Sequence, residues 1–205
     1  MLLKDKTAVI TGCNRGIGLS ILETYYKNGA NIVACVRKSN EKFEEHITKL
    51  SKNSKNKVEV IEFDLSDEKE IEKGFSKIKQ ISPQVDILIN NAGINQISLF
   101  QMTTLKSLRE TFEINFFSIY SFTQKILKLM IKSKNGKIIN ISSNAATLCS
   151  PGRSGYSSSK AAVNALTKVL SKELGRHKIC VNSLAPGLTN TQMKNQTTEK
   201  EIDSV

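Results

Sequence analysis

At 205 residues, with 39% hydrophobic and 24% charged side chains, the chain has the length and composition of one globular domain that can bury a core of its own. Its net charge of +11 is carried mostly by lysine, 25 of the 30 basic residues, scattered without a dense block or interleaved aromatics; this argues against a nucleic-acid partner and leaves a general attraction to acidic substrates or carriers. No apolar run approaches the ~20 residues of a bilayer-spanning helix, and MLLKDK enters a strand-like run without the apolar stretch of a signal peptide, so no membrane partner and a cytoplasmic location are expected.

In chain order, β-branched runs predict strands at residues 7–11, 31–36, 58–63, 85–90, 137–142 and 179–184, and amphipathic stretches predict helices at 16–28, 41–51, 67–81, 104–131 and 155–175. Strands separated by helices long enough to cross over pair in parallel, so the fold class is α/β, a doubly wound parallel sheet with helices on both faces, in a single domain over residues 1–205. Pro83, Pro151 and Pro186 all fall in the predicted loops. The longest helices carry apolar residues on more than one face, Phe112, Phe116, Phe117, Ile119, Tyr120 and Phe122 among them, which predicts burial against another copy of the chain as well as the sheet. Cys13, Cys35, Cys149 and Cys180 form no C-x-x-C pair and have no nearby histidine pair; they read as reduced, mostly structural thiols, and no metal site is expected.

The first strand runs into Thr11-Gly12-Cys13-Asn14-Arg15-Gly16-Ile17-Gly18, which opens the first helix. Glycines at such a turn tolerate positive φ and let the backbone approach a pyrophosphate, while the helix N-terminus presents free N–H groups and a positive dipole end. The spacing is G-x-x-x-G-x-G rather than G-x-G-x-x-G, so the turn alone is equally a tight strand-to-helix connection. Asp64 follows the third strand and Asn90-Asn91-Ala92-Gly93 the fourth, both at carboxyl ends of strands, where open α/β sheets bind ligands. A carboxylate there can accept from an adenine amino group and the amides can line a ribose; ordinary turn chemistry accounts for either as well.

Past the fifth strand come Ser142-Ser143 and then Tyr156-Ser157-Ser158-Ser159-Lys160. Tyrosine and lysine at i and i+4 share a helix face. A free phenol titrates near ~10, and a neighbouring ammonium favours the phenolate, so the pair makes a general acid/base. A serine hydroxyl at a strand end can bond a substrate oxygen and stabilise charge developing there. Asn115, in a helix rich in Phe and Ile, reads by itself as a satisfied buried amide.

Taken in order, T-G-x-x-x-G-I-G, N-N-A-G, the helix asparagine, the serine, Y-x-x-x-K and the Pro186-Gly187 turn resemble the short-chain dehydrogenase/reductase family over nearly all of its Rossmann-type sheet. The branch of 3-oxoacyl carrier-protein reductases looks most similar. The resemblance implies an oxidoreductase that reduces a carbonyl or oxidises an alcohol by hydride transfer, acting on a small molecule, with a 3-oxoacyl thioester on an acidic acyl carrier protein as one candidate, and assembling as a homo-oligomer. It implies that Tyr156 is the acid/base, that Lys160 lowers its pKa and binds the nicotinamide ribose, that Ser143 orients the carbonyl, and that Asn115 supports a water in a proton relay. It gives Gly12, Asn14, Arg15, Gly16, Ile17 and Gly18 to the phosphate end of the cofactor, Asp64 and Leu65 to the adenine, and Asn91, Ala92 and Gly93 to its back. Pro186, Gly187, Leu188, Thr189 and Thr191 would receive the carboxamide. Lys134, Arg176, His177 and Lys178 lie where that branch places basic residues near its carrier.

An NAD-preferring relative has an acidic residue at the end of the second strand; here that place holds Val36, followed by Arg37, and Arg15 can approach the same ribose. Guanidinium groups around a 2′-phosphate give charge-assisted hydrogen bonds, so NADP(H) is the expected cofactor. The chain departs from the family in stopping soon after the Pro186-Gly187 turn, without the usual last helix and strand, which help form the substrate lid, the sheet edge and a subunit interface. A weakly active cofactor-binding remnant and a carrier- or surface-binding module are therefore the competing readings.

Overall fold

The computed structural model describes residues 1–52, 55–133 and 135–191. Thr7–Thr11 (β1), Asn31–Val36 (β2), Val58–Glu62 (β3), Ile87–Asn90 (β4), Lys137–Ile141 (β5) and Cys180–Leu184 (β6) form one parallel sheet in the order β3-β2-β1-β4-β5-β6. The helices are Gly16–Lys27 (α1), Glu41–Ser51 (α2), Glu68–Ile81 (α3), Leu105–Phe112 (α4), Ser118–Met130 (α5), Ala145–Leu148 (α6) and Ser154–Glu173 (α7). Strand order reverses between β1 and β4, and the crevice outside their carboxyl ends is where such sheets bind ligands.

The central strands are apolar on both faces because helices cover both. Along β1 the alternation of the strand sends Ala8 and Ile10 into one core, with Leu22 and Tyr26 of α1 and Phe43 and Ile47 of α2. Val9 points the other way, into a core with Ile71, Phe75 and Ile78 of α3 and Phe122 and Ile126 of α5. The helix starts are fixed locally: the Asn40 side chain accepts from Phe43 N, and Asp67 accepts from Lys69 N and Glu70 N.

Observed boundaries lie within a residue or two of the expected ones, apart from the helix expected over 104–131. That segment is α4, a π-helical turn over Glu113–Phe117, and then α5. The widened turn inserts where the Asn115 carboxamide bonds the Ile94 backbone instead of facing the next helical turn. The short helix α6, closed by Cys149 at φ 52°, is an element the strand-helix alternation does not announce. Ile119 and Phe122 are buried, whereas Phe117, the last residue of the π turn, and Tyr120 of α5 stand out at 51% and 46% exposure and pack against Phe116 at ring-centroid distances of 5.5 and 6.3 Å. Cys13 and Cys35 are buried, and burial pushes the Cys13 thiol up to about 12, which makes it inert; Cys149 and Cys180 are exposed. Among the described residues no helix is long and apolar enough to cross a membrane, and no cluster of His, Cys, Asp or Glu is arranged to hold a metal ion.

Candidate active site

A cleft of about 930 Å³ opens at the carboxyl ends of the strands, and every site residue expected from the sequence lines it except Asn115, which is fully buried behind its wall. At one end lies the turn between β1 and α1. Gly12 and Gly16 adopt φ of +63° and +55°. A Cβ on Gly12 would come within 2.8 Å of Ala92 Cα, and one on Gly18 within 2.5 Å of Asn91 Nδ2, so glycine is required for the turn to seat against the loop after β4. Asn91 Nδ2 donates to Thr11 O at 3.0 Å and to Gly12 O at 2.9 Å, while Thr11 Oγ1 accepts from Asn91 N and Ala92 N at 3.0 and 3.1 Å. The first turn of α1 has no acidic residue and no side-chain cap, which leaves its N–H groups and dipole open to an anion. Thr191 borders the same turn, its Cγ2 3.3 Å from where a Gly16 Cβ would stand.

Next to this turn, Arg37 and Lys38 emerge exposed from β2, and Lys38 O accepts from Asn14 Nδ2 at 3.4 Å. Burial tends to raise the Asp64 carboxyl, but the backbone and hydroxyl of Ser66, donating to Oδ1 at 2.8 and 2.7 Å, and the Arg37 charge outweigh it and hold it below its ordinary value. Glu62 is occupied by Ser39 N at 2.6 Å.

At the other end, Ser143, Tyr156 and Lys160 converge. Ser143 Oγ accepts from Ala145 N at 3.2 Å, so the unanticipated α6 fixes the serine. Lys160 is 3% exposed, donates from Nζ to Ile141 O at 2.8 Å and lies 5.9 Å from the centroid of the Tyr156 ring; burial pushes it down to about 8. Burial also raises the Tyr156 phenol above its ordinary value, offset in part by a hydrogen bond with the Ser143 hydroxyl and by the charge of Arg153. The Lys160 ammonium donates to a backbone carbonyl, and Ser143 and Arg153 are the groups that lower the phenol in part. Asn115 Nδ2 donates to Ile94 O at 2.9 Å and Ser159 Oγ at 3.1 Å, and its Oδ1 accepts from Ile94 N at 2.9 Å. Gly93 leaves the gap between them, since a Cβ there would stand 3.1 Å from Asn115 Oδ1 and 3.4 Å from Lys160 Nζ.

Asn90, read with its neighbours as able to line a ribose, does not line the cleft, and other contributors escape the sequence reading. Asn90 Nδ2 donates to Thr123 Oγ1 at 2.9 Å and Asn140 Oδ1 at 2.8 Å, and Asn140 Nδ2 donates to Thr167 Oγ1 at 2.8 Å, a buried ladder tying β4, β5, α5 and α7 beneath the site. The signal was an asparagine inside an otherwise apolar strand. Thr11, Lys38 and Arg153 were legible only as loop or strand-end residues. Arg176 and Lys178 are exposed at the turn Gly175–His177, which with His177 lies away from the cleft lining, and Lys134 lies outside the described residues.

The model of the short chain dehydrogenase family matches residues 6–202. The chain belongs to the short chain dehydrogenase family. A 3-oxoacyl-acyl-carrier-protein reductase of Aquifex aeolicus (strain VF5) is 34% identical over 191 residues, 93% of this chain and 77% of the relative. A 3alpha-hydroxysteroid dehydrogenase of Mediterraneibacter gnavus is 34% identical over 195 residues, 94% of this chain and 77% of the relative. A crystal structure of a putative NAD(P) dependent gluconate 5-dehydrogenase from Beutenbergia cavernae, with bound NADP, superposes with a TM-score of 0.89 at 26% identity over 98% of this chain and 80% of that one. Both fold and family thus place this short chain dehydrogenase among oxidoreductases of CH–OH and C=O groups.

Proposed function

We propose that this short chain dehydrogenase is an NADP(H)-dependent enzyme that interconverts a carbonyl and an alcohol in the cytoplasm, with 3-oxoacyl thioesters among its candidate substrates. The observation that carries the reading is the convergence of Ser143, Tyr156 and Lys160 in one cleft with the turn over residues 12–18. The residues present fit a nicotinamide dinucleotide: the glycine turn offers a pyrophosphate bare backbone and an uncapped helix end, Asp64 offers an acceptor for adenine, and Arg15, Arg37 and Lys38 offer cations for a 2′-phosphate. When bound, the cofactor supplies or takes up the hydride. Tyr156, kept protonated near neutrality by burial, gives its phenol proton to the carbonyl oxygen. Ser143 holds that oxygen by a second hydrogen bond. Lys160 would hold the ribose hydroxyls, while Asn115 braces Ile94 and Ser159 so that the wall facing the substrate keeps its shape and supports a water path to Lys160. Pro186, Gly187, Leu188, Thr189 and Thr191, which line the cleft, would hold the carboxamide. The NADP bound to the Beutenbergia cavernae relative supports the choice of cofactor, and the Aquifex aeolicus relative's name supports a carrier-linked substrate, to which the exposed Arg176 and Lys178 and the +11 charge are suited.

Following NADPH absorbance with 3-ketoacyl thioesters, ketones and sugars tests this. Turnover is expected for at least one class, with NADPH preferred over NADH by at least ~tenfold, or ~1.4 kcal/mol, and with Arg37→Ala removing most of that preference. Equal affinities for the two cofactors, or a preference untouched by Arg37→Ala, would refute the assignment of the 2′-phosphate site. Cofactor binding without turnover of any class would favour the binding remnant.

The half-exposed Phe117 at the end of the π turn, Tyr120 of α5 and Val169 of α7, at 50%, form apolar surface on the helical segments that flank β5. We expect a second copy of the chain to cover it, so light scattering at micromolar concentration should report at least a dimer; a monomer overturns this interface.

A further inference from the structure

The turn that carries Arg37 and Lys38, two of the cations assigned to the 2′-phosphate, is short and held from both sides. Only residues 37–39 separate the end of β2 from Asn40, whose side chain caps α2 by accepting from Phe43 N at 3.0 Å. Arg37 and Lys38 are exposed and line the cleft. On one side, Asn14 of the glycine turn donates from Nδ2 to Lys38 O at 3.4 Å. On the other, Ser39 N donates to Glu62 Oε1 at 2.6 Å.

Glu62 is the last residue of the edge strand β3 and pairs in register with Val36, the last of β2. The ladder runs one step further, with Phe63 N donating to Val36 O at 3.0 Å. Asp64 N then donates to Glu70 Oε2 at 2.8 Å instead of returning to β2. Past that point it is the Glu62 side chain that joins the two strand ends. An exposed glutamate on an edge strand is ordinarily a solvated charge. Here its carboxylate accepts from a backbone N–H, and such a charge-assisted bond is stronger than one between neutral groups. A loose turn would have to be ordered by its ligand, at a cost to affinity, whereas a turn fixed beforehand avoids that loss.

We infer that Glu62 is a positioning residue for cofactor choice, holding Ser39 N so that Arg37 and Lys38 are presented to the 2′-phosphate of NADP(H). The inference rests on the cofactor reading above and adds to it a residue that does not itself line the cleft. Through space the Glu62 charge works the other way, since a carboxylate repels a phosphate. The two effects have opposite signs and come apart on substitution: glutamine keeps an oxygen acceptor and loses the charge, whereas alanine loses both. NADH has no 2′-phosphate, so its binding is indifferent to where the two cations stand.

The test is a fluorescence titration of NADPH and of NADH, which needs no substrate, into the wild type, Glu62→Ala and Glu62→Gln. Glu62→Ala should weaken NADPH at least ~fivefold and leave NADH within ~twofold. Glu62→Gln should keep the wild-type preference for NADPH or raise it. Adenosine 2′,5′-bisphosphate, displacing NADPH, should lose the same factor in Glu62→Ala, while 5′-AMP should not change. A loss shared equally by NADPH and NADH would show a general structural role, and a preference that rises in both variants would show a charge acting only through space. Either result overturns the inference, as does a preference unchanged in Glu62→Ala, and all three leave the cofactor reading intact. A wild type that binds NADPH and NADH equally overturns that reading and this inference with it.

Discussion

Tyr156→Phe is expected to lower kcat by at least ~10³-fold, a loss of ~4 kcal/mol of transition-state stabilisation, with NADPH affinity changed no more than a few-fold. The substitution deletes one oxygen and nothing else. The ring stays buried at the base of the cleft, 8% exposed in the parent, and its packing over Lys160 is kept. None of the groups assigned to the pyrophosphate or the adenine touches the phenol oxygen. What disappears is the proton that must reach the carbonyl oxygen as the hydride arrives, together with the Ser143 hydrogen bond that aims it. Steady-state rates and a fluorescence titration of NADPH separate the two effects. Activity within a few-fold of the parent would mean that another group carries the proton.

The sheet was legible because each central strand is a short β-branched run between breakers, and a parallel sheet covered on both faces has to read that way. The phosphate turn was legible because positive φ at residues 12 and 16 leaves glycine as the suitable residue. Tyr156 and Lys160 were legible because a helix sets i and i+4 side by side. Other features depend on contacts between distant segments and had no local trace. Asn115 looks like any polar residue in an apolar helix, and only the approach of Ile94, 21 residues away, explains the π turn around it. Asn90 and Asn140, on neighbouring strands, become partners only when the register between β4 and β5 is set. Nothing in P-G-R-S-G shows that Arg153 lines the cleft. The direction of the Tyr156 shift escaped for the same reason: spacing places Lys160 beside the ring, whereas burial, which is a property of the whole fold, decides the sign.

Lys160→Met is expected to reduce kcat by at least ~10²-fold and weaken NADPH binding, because the ammonium is assigned both to the tyrosine and to the ribose, yet to make the folded protein more stable at neutral pH. Burial depresses Lys160 from 10.5 in its ordinary state to about 8 in the fold, so the folded chain favours the neutral amine. Below pH 8 the native state must carry the ammonium at a cost, and that cost is on the order of 3 kcal/mol when converted from the shift. Between pH 8 and 10.5 the unfolded chain binds more protons than the folded one, so the stability of the parent rises with pH across that window and the penalty vanishes above it. Methionine fills a similar volume without the charge. It forfeits the 2.8 Å hydrogen bond to Ile141 O, which offsets about 1 kcal/mol of the gain. The variant should therefore unfold at higher urea than the parent at pH 7, by on the order of 2 kcal/mol, with the difference shrinking as pH approaches 10. A parent less stable than the variant by the same amount at every pH would place the cost elsewhere than in the buried charge. Equal stability at pH 7 would mean that Lys160 is solvated well enough to pay nothing, and with it would fall the view that this site keeps a costly cation because catalysis needs it there.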